Sequence, residues 1–372
     1  MTRIPLLLVT RPGIGGAAKH VRMLCELISK DSFDVTVAAS PLEDPAFLDI
    51  LAATGVRVIP LPMRREPHPS DAGALWRLAR LLRRVRPSIV HAHTSKPGLL
   101  ARLAAAASGL PALYTPHGFY FHYDIPAWKR ALYRGIERLA GPWTARLVCV
   151  TEEEARQAAG ARLVPPGRIA VIPNALRPEE CVPKRSRAEV RAELGIPADA
   201  PLLVMVGRLA PPKDPFTLVV AAARIPGVHV LFAGDGPQRD GLRALARELD
   251  CDARVHTPGH RADAIDLTAA ADVAVLSSRW EGLPYALLEA MAVGLPVVAS
   301  DISGCRDALG GTGAGRLVPV GDTAAMRTAI DAFLSNPRAR EAAGRAGRAL
   351  VAEKYGAARW IARMEELYRT LG

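Results

Sequence analysis

The chain has 372 residues, enough for two or three domains of ordinary size. Charged residues make up 23%, which argues against intrinsic disorder, and aromatics only 5%, which argues against base-stacking recognition of single-stranded nucleic acid. Net charge is +11 and uneven: residues 1–173 hold 23 Lys and Arg against 13 Asp and Glu, a net of +10, leaving +1 for the remainder.

The N-terminal run IPLLLVT (4–10) is too short for a secretion signal and no small-residue cleavage site follows. It reads instead as a buried parallel strand, as do 34–40, 56–61, 88–93, 112–115 and 146–150. Helical patterns fall between them at 17–30, 44–53, 71–86, 97–108, 126–140 and 152–159. Residues 171–187, rich in proline and charge, read as a linker. The alternation then restarts with strands at 201–209, 228–234, 271–278 and 295–300, and closes with helices near 337–354 and 357–370. Strand and helix in alternation predict two doubly wound α/β domains. We place them at 1–173 and 184–356, with a C-terminal helix over 357–372 as a candidate to pack back on the first. No apolar run reaches the roughly 20 residues of a spanning helix. Five scattered cysteines (Cys25, Cys149, Cys181, Cys251, Cys305) form no CxxC pair, so no disulfide framework is expected and a reduced, cytoplasmic setting fits.

In open parallel sheets, ligands bind beyond the carboxyl ends of the strands. Two such sheets facing each other would enclose a cleft, so residues just after strands carry the functional expectations. Gly13, Gly15 and Gly16 follow the first strand and let backbone approach an anion. The third glycine of a dinucleotide fingerprint is Ala18, and the second strand ends in Ala39-Ser40 without an acid, which disfavours NAD. A plain tight turn is the alternative. In VGRLAPPKD (206–214), Arg208 and Lys213 are two cations near a helix start, a pairing that suits a diphosphate. In SSRWEGLPYALLEAMAVG (277–294), Glu281 lies in a loop and Glu289 within a helix otherwise almost wholly apolar. That setting predicts burial and a partner for Glu289, against the alternative of ordinary surface charge. Gly282 permits close approach, and Pro284 suits the first helical turn.

Four histidines gather in the first half. His91 and His93 alternate along a strand, which predicts unequal burial, and no Cys or acid completes a zinc set. No metal site is expected there, nor at the lone Asp250-Cys251-Asp252, which reads as a solvated turn.

Together these segments resemble the retaining family-four glycosyltransferases of GT-B architecture, over nearly the whole chain. The resemblance rests on GIGG (13–16), HGF (117–119), VIPN (171–174), VGRL with Lys213, GDGP (234–237) and the glutamates Glu281 and Glu289. It implies a nucleotide-diphosphate sugar donor, uridine by default. Arg208 and Lys213 would hold the diphosphate, Glu289 the ribose and Glu281 the sugar. The backbone of Gly282, Leu283, Pro284 and Tyr285 would face sugar and phosphate, with Gly15 and Gly16 on the donor side. His117 would contact the donor sugar or the leaving phosphate. His93, Ser95 and Lys96 read as acceptor-side residues. GDGP reads as a tight turn and Asn174 as a strand end at the hinge. One departure is SGCRD (303–307), which has Asp307 where many relatives carry glutamate.

HTSKPGLLARLAA with TPHGFYF is most similar to members that extend bacterial surface polysaccharides on polyprenyl-diphosphate carriers. The charge arithmetic independently favours an anionic partner. Segment 71–86 sets Leu75, Leu78, Leu82 and Val85 on one stripe against Arg77, Arg80, Arg83, Arg84 and Arg86. Segment 126–139 adds Trp128, Lys129, Arg130 and Arg134. Such helices suit peripheral contact with the inner face of the cell membrane, although the same stripe serves any helix packed on a sheet. The expectation is therefore a metal-independent, cofactor-free glycosyltransferase acting on a lipid-linked or glycan acceptor, with no nucleic-acid partner. A nucleotide-sugar epimerase or hydrolase, and a non-enzymatic anion- or membrane-binding protein, are the alternatives.

Overall fold

The computed structural model describes residues 3–11, 15–122 and 125–372. The chain divides into two compact units: residues 1–174 with 358–372, and residues 175–357.

The first unit runs β1 (Ile4–Thr10), α1 (Gly16–Leu27), β2 (Phe33–Ala39), α2 (Ala46–Ala52), β3 (Arg57–Pro60), α3 (Ser70–Val85), β4 (Ile89–His93), α4 (Ser95–Ala106), β5 (Ala112–Thr115), α5 (Ala127–Ala140), β6 (Arg146–Cys149), α6 (Glu152–Gly160) and β7 (Ile169–Val171). Its strands form a seven-stranded parallel sheet in the order β3-β2-β1-β4-β5-β6-β7. The order reverses between β1 and β4, whose register pairs Leu6 with Ile89. β1 is a nearly continuous apolar run because helices cover both faces of a central parallel strand. Every residue of β4 is buried.

The second unit runs α7 (Arg187–Glu193), β8 (Leu202–Val206), α8 (Pro215–Ala223), β9 (His229–Ala233), α9 (Arg239–Glu248), β10 (Val255–Gly259), α10 (Ala264–Ala269), β11 (Val273–Leu276), α11 (Tyr285–Val293), β12 (Val297–Ser300), α12 (Ser303–Leu309), β13 (Gly315–Val318), α13 (Thr323–Leu334) and α14 (Pro337–Lys354). Its parallel sheet has six strands in the order β10-β9-β8-β11-β12-β13, and reverses between β8 and β11. The core on one face joins Leu203, Met205 and Phe232 of the sheet to Leu218 of α8 and Ile330 of α13.

Two strands, β10 and β13, fall where no strand is predicted from sequence, and β7 ends three residues before the strand end expected at Asn174. All are edge strands, each three to five residues long and only partly buried. A one-sided strand carrying Pro258 or Arg316 has no apolar run to betray it. The stretch read as a linker accordingly begins inside β7.

The last helix, α15 (Ala357–Arg369), packs on the first unit although it follows the second in sequence. Trp360, Met364 and Tyr368, four residues apart, form its buried stripe. Tyr368 meets Phe33, and Glu365 accepts the Ser29 backbone N–H at 2.8 Å. Among the described residues, no helix is long and apolar enough to cross a membrane.

Candidate active site

In the second unit, the residues singled out after β8 and β11 come together because those strands are neighbours. Lys213 forms an ion pair with Glu281, and the Ser278 hydroxyl donates to the same carboxylate at 3.0 Å. The two loops are stitched further. Ser277 Oγ donates to the Asp214 carbonyl at 2.7 Å, and the Arg279 N–H to the Pro212 carbonyl at 2.9 Å. Asp214 caps α8, accepting from Thr217 Oγ1 at 2.9 Å, and pairs with Arg279 Nε at 3.2 Å. Arg208 is exposed and makes no hydrogen bond or ion pair among the described residues. A cation so placed remains available to a ligand.

GDGP supports that loop from the other side. The Gly207 N–H donates to the Ala233 carbonyl at 3.1 Å, and Leu209 N–H to the Asp235 carbonyl at 3.0 Å. A Cβ on Gly234 would lie 1.9 Å from the Gly207 carbonyl oxygen. The turn is thus a close backbone contact that sets the path of Gly207-Arg208-Leu209.

Beyond Glu281, Gly282 is partly exposed, whereas Leu283, Pro284 and Tyr285 are buried. Pro284 is the residue just before α11 rather than in its first turn, and no side chain caps the helix. Glu289 has a partner but is only partly buried, contrary to expectation. It shares with Ala286, Ala292 and Val293 the less covered stripe of α11. Alanine scores as apolar in the sequence yet sits at low cost on a half-open face. Asp307 lies on α12, whose start packs on the Gly282 backbone.

In the first unit, the histidines share one buried cluster. His91 and His93 are both fully buried, and the unequal burial expected above does not hold, because residues two apart on a strand lie on the same face of the sheet. His91 bonds Tyr368 Oη at 2.7 Å and Thr115 Oγ1 at 2.8 Å, a packing role. His93, read as acceptor-side, sits inside with its Nδ1 3.3 Å from His117 Nε2. His20 of α1, which sequence reasoning missed, completes the group. It bonds Asn174 Oδ1 at 3.1 Å and meets His117 and Trp360 edge-on. Burial holds His20 down to about 4 and His91 to about 3, and His93 and His117 well below the usual imidazole range. Desolvation disfavours the cation, so these rings are neutral at pH 7.

His117 adopts a left-handed backbone (φ 58°). Its neighbour Gly118 donates its N–H to Glu154 at 2.8 Å, and Val150 N–H reaches the other carboxylate oxygen at 2.7 Å. Glu154 is a second residue missed from sequence. Its signal was Thr151-x-x-Glu154 at a helix start, where Thr151 does cap α6, but the glutamate reaches back to two loops instead. Ser95 lies within hydrogen-bond reach of Tyr114, and the Lys96 ammonium is held by Asp71 at 2.8 Å. Gly15 and Gly16 are exposed at the start of α1; Gly13 lies outside the described residues. Asp250 closes α9 in a left-handed turn and Asp252 opens the short 3-10 turn after it, away from the carboxyl ends of the strands.

Two family descriptions match in series: "Glycosyl transferase 4-like domain" over residues 15–175 and "Glycosyl transferases group 1" over 186–350. The chain is 32% identical over 307 residues to UDP-Gal:alpha-D-GlcNAc-diphosphoundecaprenol alpha-1,3-galactosyltransferase of Escherichia coli, covering 79% of this chain and 78% of that one. It is 32% identical over 322 residues to glycosyltransferase EpsD of Bacillus subtilis, covering 83% of each. In fold it is similar to Anabaena HepE in complex with UDP-glucose (TM-score 0.85, 20% identity, 99% of this chain and 100% of that one). It is likewise similar to WaaG, a glycosyltransferase of lipopolysaccharide biosynthesis (TM-score 0.74, 18% identity, 96% and 98%). With its two Rossmann-like units, this chain belongs to the family-four glycosyltransferases of GT-B fold, enzymes of the kind that build bacterial surface polysaccharides.

Proposed function

We propose that this glycosyltransferase moves a sugar, with retention of configuration, from a uridine-diphosphate donor to a polyprenyl-diphosphate-linked glycan. The observation that carries the donor half is the pairing of Lys213 with Glu281 beside an exposed Arg208, on loops from the two strands flanking the reversal of sheet order. Cleaving the glycosyl–phosphate bond leaves negative charge on the diphosphate. Arg208, Lys213 and the positive end of the α11 dipole would receive it without a resident cofactor. When the diphosphate arrives, Lys213 can turn to it, which frees Glu281 for a sugar hydroxyl. Glu289 would hold the ribose, with the backbone from Gly282 through Leu283 and Pro284 to Tyr285 against sugar and phosphate. Gly15, Gly16 and His117 are the first unit's proposed donor contacts. The turn from His93 through Ser95 to Lys96 is its proposed acceptor side.

Two facts support the acceptor reading. The E. coli relative is named for a diphosphoundecaprenol acceptor. The basic first unit also exposes Trp76 on α3, and Trp128, Leu132 and Leu139 along one face of α5, among Arg77, Arg80, Lys129 and Arg130. Apolar side chains rimmed by cations suit an anionic bilayer surface at the inner face of the cell membrane.

The test is incubation of the chain with UDP-sugars and a detergent-solubilised GlcNAc-diphosphoundecaprenol acceptor. Product is expected with at least one donor, and Lys213→Ala should lower turnover by about 10²–10³-fold. Release of nucleotide with no glycosylated acceptor would replace this reading with hydrolysis or epimerisation.

A further inference from the structure

The histidine cluster of the first unit has a geometry that packing alone does not require. We propose that His20, His93 and His117 form a binding site for a transition-metal ion of the zinc class. Each of the three offers a ring nitrogen, and the three atoms lie within 4.8 Å of one another. Zinc binds imidazole at about 2.0–2.1 Å, so two ligands of a tetrahedral site stand roughly 3.3–3.4 Å apart. His93 Nδ1 and His117 Nε2 are 3.3 Å apart.

The His20 tautomer agrees with ligation. Asn174 Oδ1 can only accept, so His20 Nδ1 is the protonated nitrogen of that 3.1 Å bond. Its lone pair then sits on Nε2, which is buried and has no hydrogen-bond partner among the described residues. A ligating histidine usually gives its second N–H to a carbonyl in this manner, which fixes ring orientation. Trp360 and His91 wall the cluster, and both His20 and His93 are completely buried. His117 is the partly exposed member, so an ion would enter from its side and keep a fourth position there for water or another ligand. The site shares His117 and His93 with the proposed donor and acceptor contacts but none of the second unit's diphosphate residues, and it is read by metal spectra rather than turnover, so its failure is distinguishable from failure of the donor reading.

Cobalt(II) is the probe, because four-coordinate Co2+ absorbs strongly in the visible and octahedral Co2+ weakly. Titration of the purified full-length chain should give one Co2+ per chain with intense visible bands, displaced by Zn2+. Sulfur-to-cobalt charge transfer should be absent, since the five cysteines are not ligands. His117→Ala changes the most accessible ligand and should abolish the bands in a chain whose circular dichroism is unchanged. Should that variant unfold, Asn174→Ala serves instead: it leaves all three ligands and should weaken binding by about 10–100-fold. Weak octahedral spectra, thiolate bands, or tetrahedral bands unaltered in the variant that folds would each overturn the proposal and leave a metal-free imidazole cluster.

Discussion

Gly304→Ala isolates the link between scaffold and donor loop. Gly304 lies in the first turn of α12, where a Cβ would stand 1.5 Å from the Gly282 carbonyl oxygen, 2.6 Å from its carbon and 3.0 Å from Leu283 Cα. Every obstacle is backbone, so no rotamer change relieves it. Since real Cβ contacts do not fall below 3.0 Å, the two segments must separate by at least 1.5 Å. Overpacking of this kind costs about 1–3 kcal/mol. The larger consequence is positional, because Gly282 follows Glu281 directly. Displacing a binding group by about 1 Å can cost on the order of 10²-fold in rate. The expected outcome is a chain that still unfolds cooperatively in urea, with stability lowered by that range, and with kcat/KM down by about two orders of magnitude. Gly73→Ala, at a partly exposed position of α3 with nothing within 4 Å of the added carbon, is the control and should gain up to about 1 kcal/mol. Were Gly304→Ala to keep wild-type kcat/KM and wild-type stability, the argument that α12 sets the donor loop would be refuted.

Other expectations follow from buried charge and exposed apolar surface. Arg102, fully enclosed, pairs with Glu137 at 2.8 Å while Tyr114 donates to the other carboxylate oxygen at 3.0 Å. Glu137→Ala leaves a buried guanidinium unpaired and should cost about 3–5 kcal/mol in urea unfolding, whereas a loss below about 1 kcal/mol would refute the pairing. Burial raises the Glu154 carboxyl from 4.5 to about 7, against two backbone N–H bonds that lower it. The folded chain therefore keeps a proton that the unfolded chain releases. Its contribution is full below pH 4.5 and is lost as pH rises to 7, about 3 kcal/mol in all. Subtracting the pH–stability curve of Glu154→Gln from that of wild type should show this slope, and coincident curves would contradict it. Trp128→Ser with Leu132→Ser should weaken co-sedimentation with vesicles containing phosphatidylglycerol by at least about tenfold, without changing urea stability. Equal binding would place any bilayer contact elsewhere.

The sequence by itself determined the class of fold and which residues the loops after β8 and β11 carry. Central parallel strands are largely apolar, so β1, β8 and β11 announce themselves, and residues just after them fall at the carboxyl edge of the sheet whatever the details. That Lys213 and Glu281 sit on neighbouring loops was legible for that reason. The edge strands β10 and β13 were not, because one covered face needs no apolar run. Only the tertiary structure could show that Glu289 sits on the less covered stripe of α11 with Ala286 and Ala292, and that Arg102 is enclosed in the alanine-rich α4. Nor could spacing reveal that α1 brings His20 to His93 and His117, or that α15 returns from the far end of the chain to wall them with Trp360. Strand character is a local consequence of burial on two faces. The company a side chain keeps depends on which distant segments the sheet order brings beside it, and no local pattern encodes that.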